Sequence, residues 1–391
     1  MHRQLAYCTN VHAGADLAAT TANLRRHSLA VKRQFSPHGP MGVGLWLAAP
    51  AARQLNDRRS VTEFAQWLGD QGLVPFTFNG FPYGDFHQPV VKYRVYQPTW
   101  FDRERLDYTI DLIDVLDACL PSAMEGSIST LPIAWREPRP SAEQMLAAAR
   151  QVCRVAEYLG ALESRTGRLI YLCLEPEPGC VLQVADDVVR FFDEHLMRAG
   201  DERLVRRHVR VCHDICHAAV MFEDQRAVLA KYARHGIRVG KVQVSSAIRV
   251  DLASIAREEQ EAALAALAAF AEDRYLHQTA IRESAEAPPR LFDDLPGQAL
   301  DAIKEAVHRG SSNAEGRVHF HVPIFLERFG AIATTQDQIR QCLDAAREES
   351  ELRHFEVETY AWGVLPAQLR CAELADGIAR ELQWLAALLT P

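Results

Sequence analysis

Residues 169–217 open with Leu169-Ile170-Tyr171-Leu172-Cys173-Leu174-Glu175-Pro176-Glu177 and close with Val209-Arg210-Val211-Cys212-His213-Asp214-Ile215-Cys216-His217. Between the two, residues 184–196 place apolar side chains at threes and fours. An apolar run, a helical period and a second apolar run make a βαβ unit, whose strands lie parallel and are buried on both faces. Both runs end in carboxylates, so the unit fixes an architecture and points to chemistry at the carboxyl ends of its strands.

The same alternation extends outward over the chain. Strand candidates lie at residues 5–11, 43–48, 73–78, 126–131, 169–174, 209–213, 239–245 and 354–359. Helical patterns fall at 15–32, 61–71, 103–119, 141–166, 184–196, 225–236, 335–349 and 367–389. Eight strands, each followed by a helix, close into a (β/α)₈ TIM barrel more naturally than into an open sheet, with a doubly wound fold as the alternative. The whole chain, residues 1–391, reads as a single barrel domain. A long insertion at about 249–329, after strand seven, exceeds what a structureless loop accounts for. Its parts read as an Ala-rich helix at 251–271, an extended piece at 275–281, a helix near 300–307 and an extended piece at 317–325. Loops after barrel strands face the active site, so the insertion is expected to form a lid or wall over it.

Of 391 residues, 48% are hydrophobic and 24% charged, and the formal charge is -8. No long run of Lys and Arg tracks phosphates, so nucleic acid is not expected as a partner. No apolar stretch is long enough to span a bilayer, and no membrane insertion is expected. The nine cysteines are scattered and include no CxxC pair, which suits reduced thiols and a cytoplasmic protein.

In a barrel the working residues sit where strands end. Asn10 and His12 follow the first strand, Asn79 the third, Glu175 the fifth, and Asp214 and His217 the sixth. Lys241 and Gln243 alternate along the seventh strand, and Glu356 and Glu358 along the eighth. Carboxylates from separate strands repel at close range unless a cation lies among them, and hard divalent cations take oxygen ligands. The pattern points to a metal held by Glu175, Asp214 and Glu358, with Glu358 preferred to Glu356 because it lies nearer the carboxyl end. Read singly, each has a plainer meaning. Glu175 could be a buried carboxylate paired to an arginine, Asp214 with His217 a helix N-cap and a surface histidine, and Glu358 a partner of Arg353. His319 and His321 share one side of an extended segment in the insertion and are a metal or substrate clamp, or else core histidines. His277 is a weaker candidate of the same kind. Asn10, His12, Asn79, His217, Lys241, His319 and His321 together would supply hydrogen bonds to an oxygen-rich substrate. The aromatic residues Trp46, Phe81, Tyr83 and Trp362 would stack on its carbon face or simply fill the core.

Taken in order, Glu-Pro after strand five, Asp-x-x-His after strand six, a polar residue in strand seven and Glu in strand eight resemble the sugar isomerases and epimerases of the xylose-isomerase-like superfamily. Residues 7–12, 79–84, 173–178, 213–217, 319–323 and 358–360 further resemble the EboE-like family of metabolite traffic proteins, over nearly the whole chain. The resemblance implies a divalent metal (Mn, Mg or Zn) held by Glu175, Asp214, Glu358 and the strand-seven position, here Gln243. It also implies Glu175 and Glu358 as the catalytic proton carriers and His217 as a substrate contact. Where the relatives carry histidine, Gln243 is a departure. Either His319 or His321 helps to hold the metal, or the metal has been lost.

The expected function is that of a metal-dependent isomerase- or epimerase-type protein acting on a small sugar- or cyclitol-like polyol, in a pathway of metabolite biosynthesis and export. Other proteins of such a pathway are its possible partners. A non-catalytic carrier using the same pocket is the alternative, and a metal-dependent hydrolase resembling the endonucleases is disfavoured by the acidic balance.

Overall fold

The computed structural model describes residues 3–252, 255–284, 286–309 and 314–389. The parts of the expected insertion and its first helix that fall at 253–254, 285 and 310–313 lie outside the described residues. Seven barrel strands precede the insertion: Gln4–Tyr7 (β1), Met41–Trp46 (β2), Leu73–Asn79 (β3), Gly126–Thr130 (β4), Ile170–Leu174 (β5), Val209–Asp214 (β6) and Val239–Val244 (β7). The insertion contributes Ile248–Asp251 (β8), Thr279–Arg282 (β9), Arg290–Phe292 (β10), Glu315–Val318 (β11), Arg328–Phe329 (β12) and Ile332–Thr334 (β13), and His354–Val357 (β14) completes the barrel.

The barrel strands are all parallel, in the order β1-β14-β7-β6-β5-β4-β3-β2. A bridge between Cys8 and Gly44 joins the two ends into a nearly closed barrel. The fold is therefore the (β/α)₈ architecture, and the doubly wound alternative is excluded. Helix Ala142–Thr166 shows how locally the sequence dictates the outer layer. Ser141 accepts from the Gln144 N–H while Gln144 accepts from the Ser141 N–H, and Gly167 ends the helix at φ 72°. Its buried face, Ala148, Val152, Val155 and Leu159, packs on the sheet side at helical spacing.

The inside of the barrel is unusually polar. Lys241 and Glu356, on neighbouring strands, are fully buried and form an ion pair of 2.5 Å. A Cβ at Gly44 would fall 1.3 Å from Glu356 Oε1, so glycine in β2 is what gives this carboxylate room. Deeper in the barrel, the Arg210 guanidinium lies 3.6 Å from the centre of the Tyr171 ring.

Two outer helices were not foreseen, Ala49–Leu55 and Glu202–His208, and a third, Ile215–Val220, was foreseen only in the plainer reading of Asp214 as an N-cap. Each is six or seven residues long, too short for a helical period to separate from its surroundings. The expected helix at 367–389 is a 3₁₀ turn at Ala367–Leu369 followed by helix Leu374–Leu389. Of the expected helix at 251–271, the described residues form a 3₁₀ turn at Arg257–Glu259 and an α-helix at Gln260–Ala268, and Asp251 belongs to β8. There Ile248 and Val250 alternate with half-buried Arg249 and Asp251, a strand period of two that the adjoining alanine run obscures. The insertion is built on a six-stranded antiparallel sheet, β10-β9-β11-β8-β13-β12. Val318 at the end of β11 pairs with both Ile248 and Thr279, and the chain then runs through His319 and His321 to the barrel mouth.

Candidate metal centre and active site

Three carboxylates meet where β5, β6 and β14 end. Glu175 follows β5 with its N–H bonded to Thr130 O at 3.0 Å. Asp214 closes β6 and caps helix Ile215–Val220, its Oδ1 accepting from the His217 N–H at 2.9 Å and from Ser245 Oγ at 2.8 Å. Glu358 follows β14, and its Oε1 accepts from Asn10 Nδ2 at 2.7 Å and Asn79 Nδ2 at 2.8 Å. One oxygen of each carboxylate lies within 4.8 Å of the others, and all three residues are at most 5% exposed.

Burial, reinforced by the neighbouring carboxylates, pushes Glu175 and Glu358 well above the usual carboxylate range. Asp214 goes the other way: burial by itself raises it, but His217, His321 and the two hydrogen bonds hold it below its ordinary value. These directions set a pH dependence for the metal-free protein. Glutamates with raised folded values bind more protons in the native state than in the unfolded chain, so stability falls as pH rises above 4.5. Asp214, being depressed, contributes the opposite sign, and its stability is lost as pH falls below 3.8. We expect urea denaturation of chelator-treated protein to show stability declining from mildly acidic to neutral pH, by up to about 1.4 kcal/mol per pH unit for each extra proton held. Glu358→Gln should flatten that decline, and an unchanged slope would contradict the assignment.

Three histidines complete the mouth. His217 Nδ1 lies 2.8 Å from Pro176 O, His319 Nδ1 2.7 Å from Gln278 Oε1, and His321 Nδ1 2.6 Å from Glu358 O. His217 Nε2 and His319 Nε2 face each other at 3.2 Å, and His321 Nε2 is 3.9 Å from Asp214 Oδ2. Burial lowers His319 well below the usual imidazole value and His321 to about 4. His277 stands behind them, bonded to His319 O at 3.0 Å and Glu272 Oε1 at 2.8 Å.

The structure separates the expected residues. Asn10, Asn79, Glu175, His217, His319, His321 and Glu358 all line one cavity of about 60 Å³; Asp214 does not line it, but its carboxylate lies within 4.8 Å of those of Glu175 and Glu358. His12 does not line it: its ring stacks on His27 at 4.6 Å and bonds Tyr7 OH at 3.2 Å, beyond the first strand. The reason is the 3₁₀ turn Thr9–Val11, which ends the extended alternation and turns His12 aside. Lys241 also stays off the cavity wall, because its partner Glu356 fixes it one layer down inside the barrel. Gln243 pairs in register with Asp214 and Glu356 and is fully buried, with neither amide atom partnered. Of the four aromatic candidates, Phe81 lines the cavity; Trp46, Tyr83 and Trp362 belong to the packing around it.

Sequence reasoning missed a second group beside His217 and His319. Glu177 accepts from Tyr96 Oη at 2.8 Å and Gln278 Nε2 at 2.9 Å, and Tyr275 and Tyr360 close the rim. Glu177 was visible in the Glu-Pro-Glu motif. Tyr96 and Gln278 carried no local signal, since a long loop and the insertion deliver them.

The residues fit a divalent cation. Glu175 Oε2, Asp214 Oδ2, Gln243 Oε1 and His321 Nε2 are buried acceptors without a hydrogen-bond partner, and uncompensated buried groups of this kind are costly. A cation between the clustered carboxylates would satisfy the Glu175 and Asp214 oxygens.

No protein-family model matches the chain, and no curated protein matches it. Among solved structures it is similar to a xylose isomerase-like TIM barrel protein from Mycobacterium smegmatis in complex with magnesium, with 13% identity, a TM-score of 0.54, and coverage of 99% of this chain and 97% of that one. A xylose isomerase domain protein from Planctomyces limnophilus is 13% identical over 99% of this chain and 98% of its own, with a TM-score of 0.48. The IolI protein with a bound zinc atom is 11% identical over 99% and 97%, also at 0.48. At 13% identity the likeness to the Mycobacterium smegmatis protein is one of fold, the TIM barrel.

Proposed function

We propose that this protein is an isomerase- or epimerase-type enzyme that uses a divalent metal to act on a small polyol- or sugar-like metabolite. The observation that carries the reading is the set of three buried carboxylates from separate strands, within 4.8 Å, two of which, Glu175 and Asp214, keep an unpartnered oxygen. Glu175, Asp214 and Glu358 would hold the ion, with Gln243 Oε1 as a carbonyl-type fourth ligand. When bound, it would polarise a carbonyl and neighbouring hydroxyl of the substrate.

The protein's own groups supply the rest. Glu358 has Oε1 fixed by two amide N–H groups, so a proton is taken up or released on its other oxygen. Glu175, with Oε2 unpartnered, is the second carrier. His217, held by Pro176 O, would contact a substrate oxygen. Tyr96, Tyr275, Tyr360 and Phe81 give a mainly apolar rim that would exclude water. Residues of the insertion, Tyr275, Leu276, His319 and His321, would serve as the wall over the site.

The finer resemblance, to EboE-like metabolite traffic proteins, rests on the sequence segments alone and would place the reaction in metabolite biosynthesis and export, with other pathway proteins as partners. The nine cysteines are all unpaired, which supports a reducing, cytoplasmic setting. Among the described residues no helix is long and apolar enough to cross a membrane. A non-catalytic carrier is the second reading, favoured by Gln243 where the resembling enzymes have histidine. Solvent-hydrogen exchange separates the two: with Mn²⁺ and a panel of ketoses and cyclitol ketones in D₂O, an enzyme incorporates deuterium beside the carbonyl and a carrier does not.

A further inference from the structure

One buried carboxylate lies outside the cavity, on the last helix, Leu374–Leu389. Glu381 is 1% exposed. Its Oε1 accepts from Thr359 Oγ1 at 2.6 Å and from the Ile324 N–H at 3.1 Å, and its Oε2 accepts from Trp362 Nε1 at 3.1 Å. All three donors are neutral, so they carry no opposite charge to offset the cost of taking a carboxylate out of water. Burial pushes its carboxyl up to about 7 even against these bonds. The helix is shaped to receive the donors. One turn before Glu381 stands Gly377, where a Cβ would fall 2.6 Å from Trp362 Cη2, so the indole lies against bare backbone with its N–H bonded to the carboxylate. Beside it the Arg380 guanidinium lies 3.8 Å from the centre of the Phe325 ring, a second tie between this helix and the insertion.

The donors belong to two segments that meet at the barrel mouth. Thr359 directly follows Glu358, where the chain leaves the extended geometry of β14, at φ −115° and ψ 69°, for the 3₁₀ turn Tyr360–Val364. Ile324 stands three residues after His321, on the run that leaves β11. The two segments are also joined directly, with His321 Nδ1 2.6 Å from Glu358 O. Together they bring Glu358, Tyr360, His319 and His321 to the cavity wall, and Glu381 is their common anchor. A metal-binding carboxylate is placed only as well as the backbone that carries it, and partners outside the ligand set govern affinity strongly. We propose that Glu381 is a positioning residue: by holding Thr359 and Ile324 on one oxygen, it sets the Glu358 carboxylate for metal and couples that setting to the docking of the insertion. The proposal rests on the reading of Glu358 as a metal ligand.

The test is Mn²⁺ affinity of the full chain after chelation and desalting, read as free Mn²⁺ by electron paramagnetic resonance, alongside urea denaturation of the metal-free protein. Glu381→Gln keeps the side-chain size but offers one carbonyl oxygen to three donors, and should weaken Mn²⁺ by roughly tenfold or more. Leu382→Ala, at the adjoining and fully buried position, loosens the same helix without removing the tie. It should lower metal-free stability and leave Mn²⁺ affinity at the wild-type value. Thr359→Val removes only the hydroxyl; it should also weaken Mn²⁺, yet add little in the double variant with Glu381→Gln, because both changes break the same bond. Wild-type affinity in Glu381→Gln, or an equal loss in Leu382→Ala, would overturn the positioning role and leave the metal site standing. A wild type that binds no Mn²⁺ would instead remove the metal site, and the positioning role with it. Should Glu381→Gln misfold by circular dichroism, Thr359→Val decides, and unchanged affinity there overturns the proposal.

Discussion

Asp214→Ala abolishes the rise in thermal stability that Mn²⁺ or Zn²⁺ gives the wild type. Asp214 belongs to the cluster with Glu175 and Glu358 and to the one with His217 and His321, so its loss weakens metal binding at each of these. A ligand at 100 times its Kd stabilises the native state by about 2.7 kcal/mol, and this increment disappears when affinity falls by two orders of magnitude or more. The metal-free variant is also weakened, because the His217 N–H and Ser245 hydroxyl lose their common acceptor. Each unpaired buried group costs roughly 1–3 kcal/mol. Differential scanning fluorimetry with and without metal separates the two effects. A metal-dependent shift of wild-type size in Asp214→Ala would place binding elsewhere.

The second large effect lies below the site. Lys241→Met leaves Glu356 fully buried with no cation, and breaking a buried pair by removing one partner costs about 3–5 kcal/mol. Burial alone would drive the Lys241 ammonium toward neutrality, but Glu356 outweighs it and raises its value. The double variant Lys241→Met/Glu356→Gln should recover most of the loss, since no bare charge then remains. Chemical denaturation of the three proteins measures this directly. A single variant within about 1 kcal/mol of wild type would mean that Glu356 finds another partner.

Much of this was legible in the sequence, and the reason is physical. Parallel strands buried on both faces read as short apolar runs, and all eight were found, with residues 73–78 and 126–131 within one residue of β3 and β4. Carboxylates at the ends of such runs have one place to go, so Glu175, Asp214 and Glu358 could be brought together from position alone. What escaped was set by non-local contact. His12 follows the chain out through a 3₁₀ turn, and Lys241 is placed by a carboxylate 115 residues away. The insertion hid its sheet because β8, β10, β12 and β13 are two to four residues long and pair only with one another and with β9 and β11. Tyr96 and Gln278 are tied to Glu177 by hydrogen bonds, tertiary contacts that no local pattern encodes.

Exchange of solvent hydrogen at the carbon beside a carbonyl tests the enzymatic reading most directly. Wild-type protein with Mn²⁺ should incorporate deuterium from D₂O into at least one ketose or cyclitol ketone, as followed by proton NMR. Incorporation should stop on chelation and in Glu175→Gln and Glu358→Gln, each of which keeps side-chain size but cannot carry the proton. A substrate that binds, protects the fold and yet shows no exchange, or exchange that persists in both glutamine variants, would contradict the assignment of these two glutamates as the proton carriers of an isomerase.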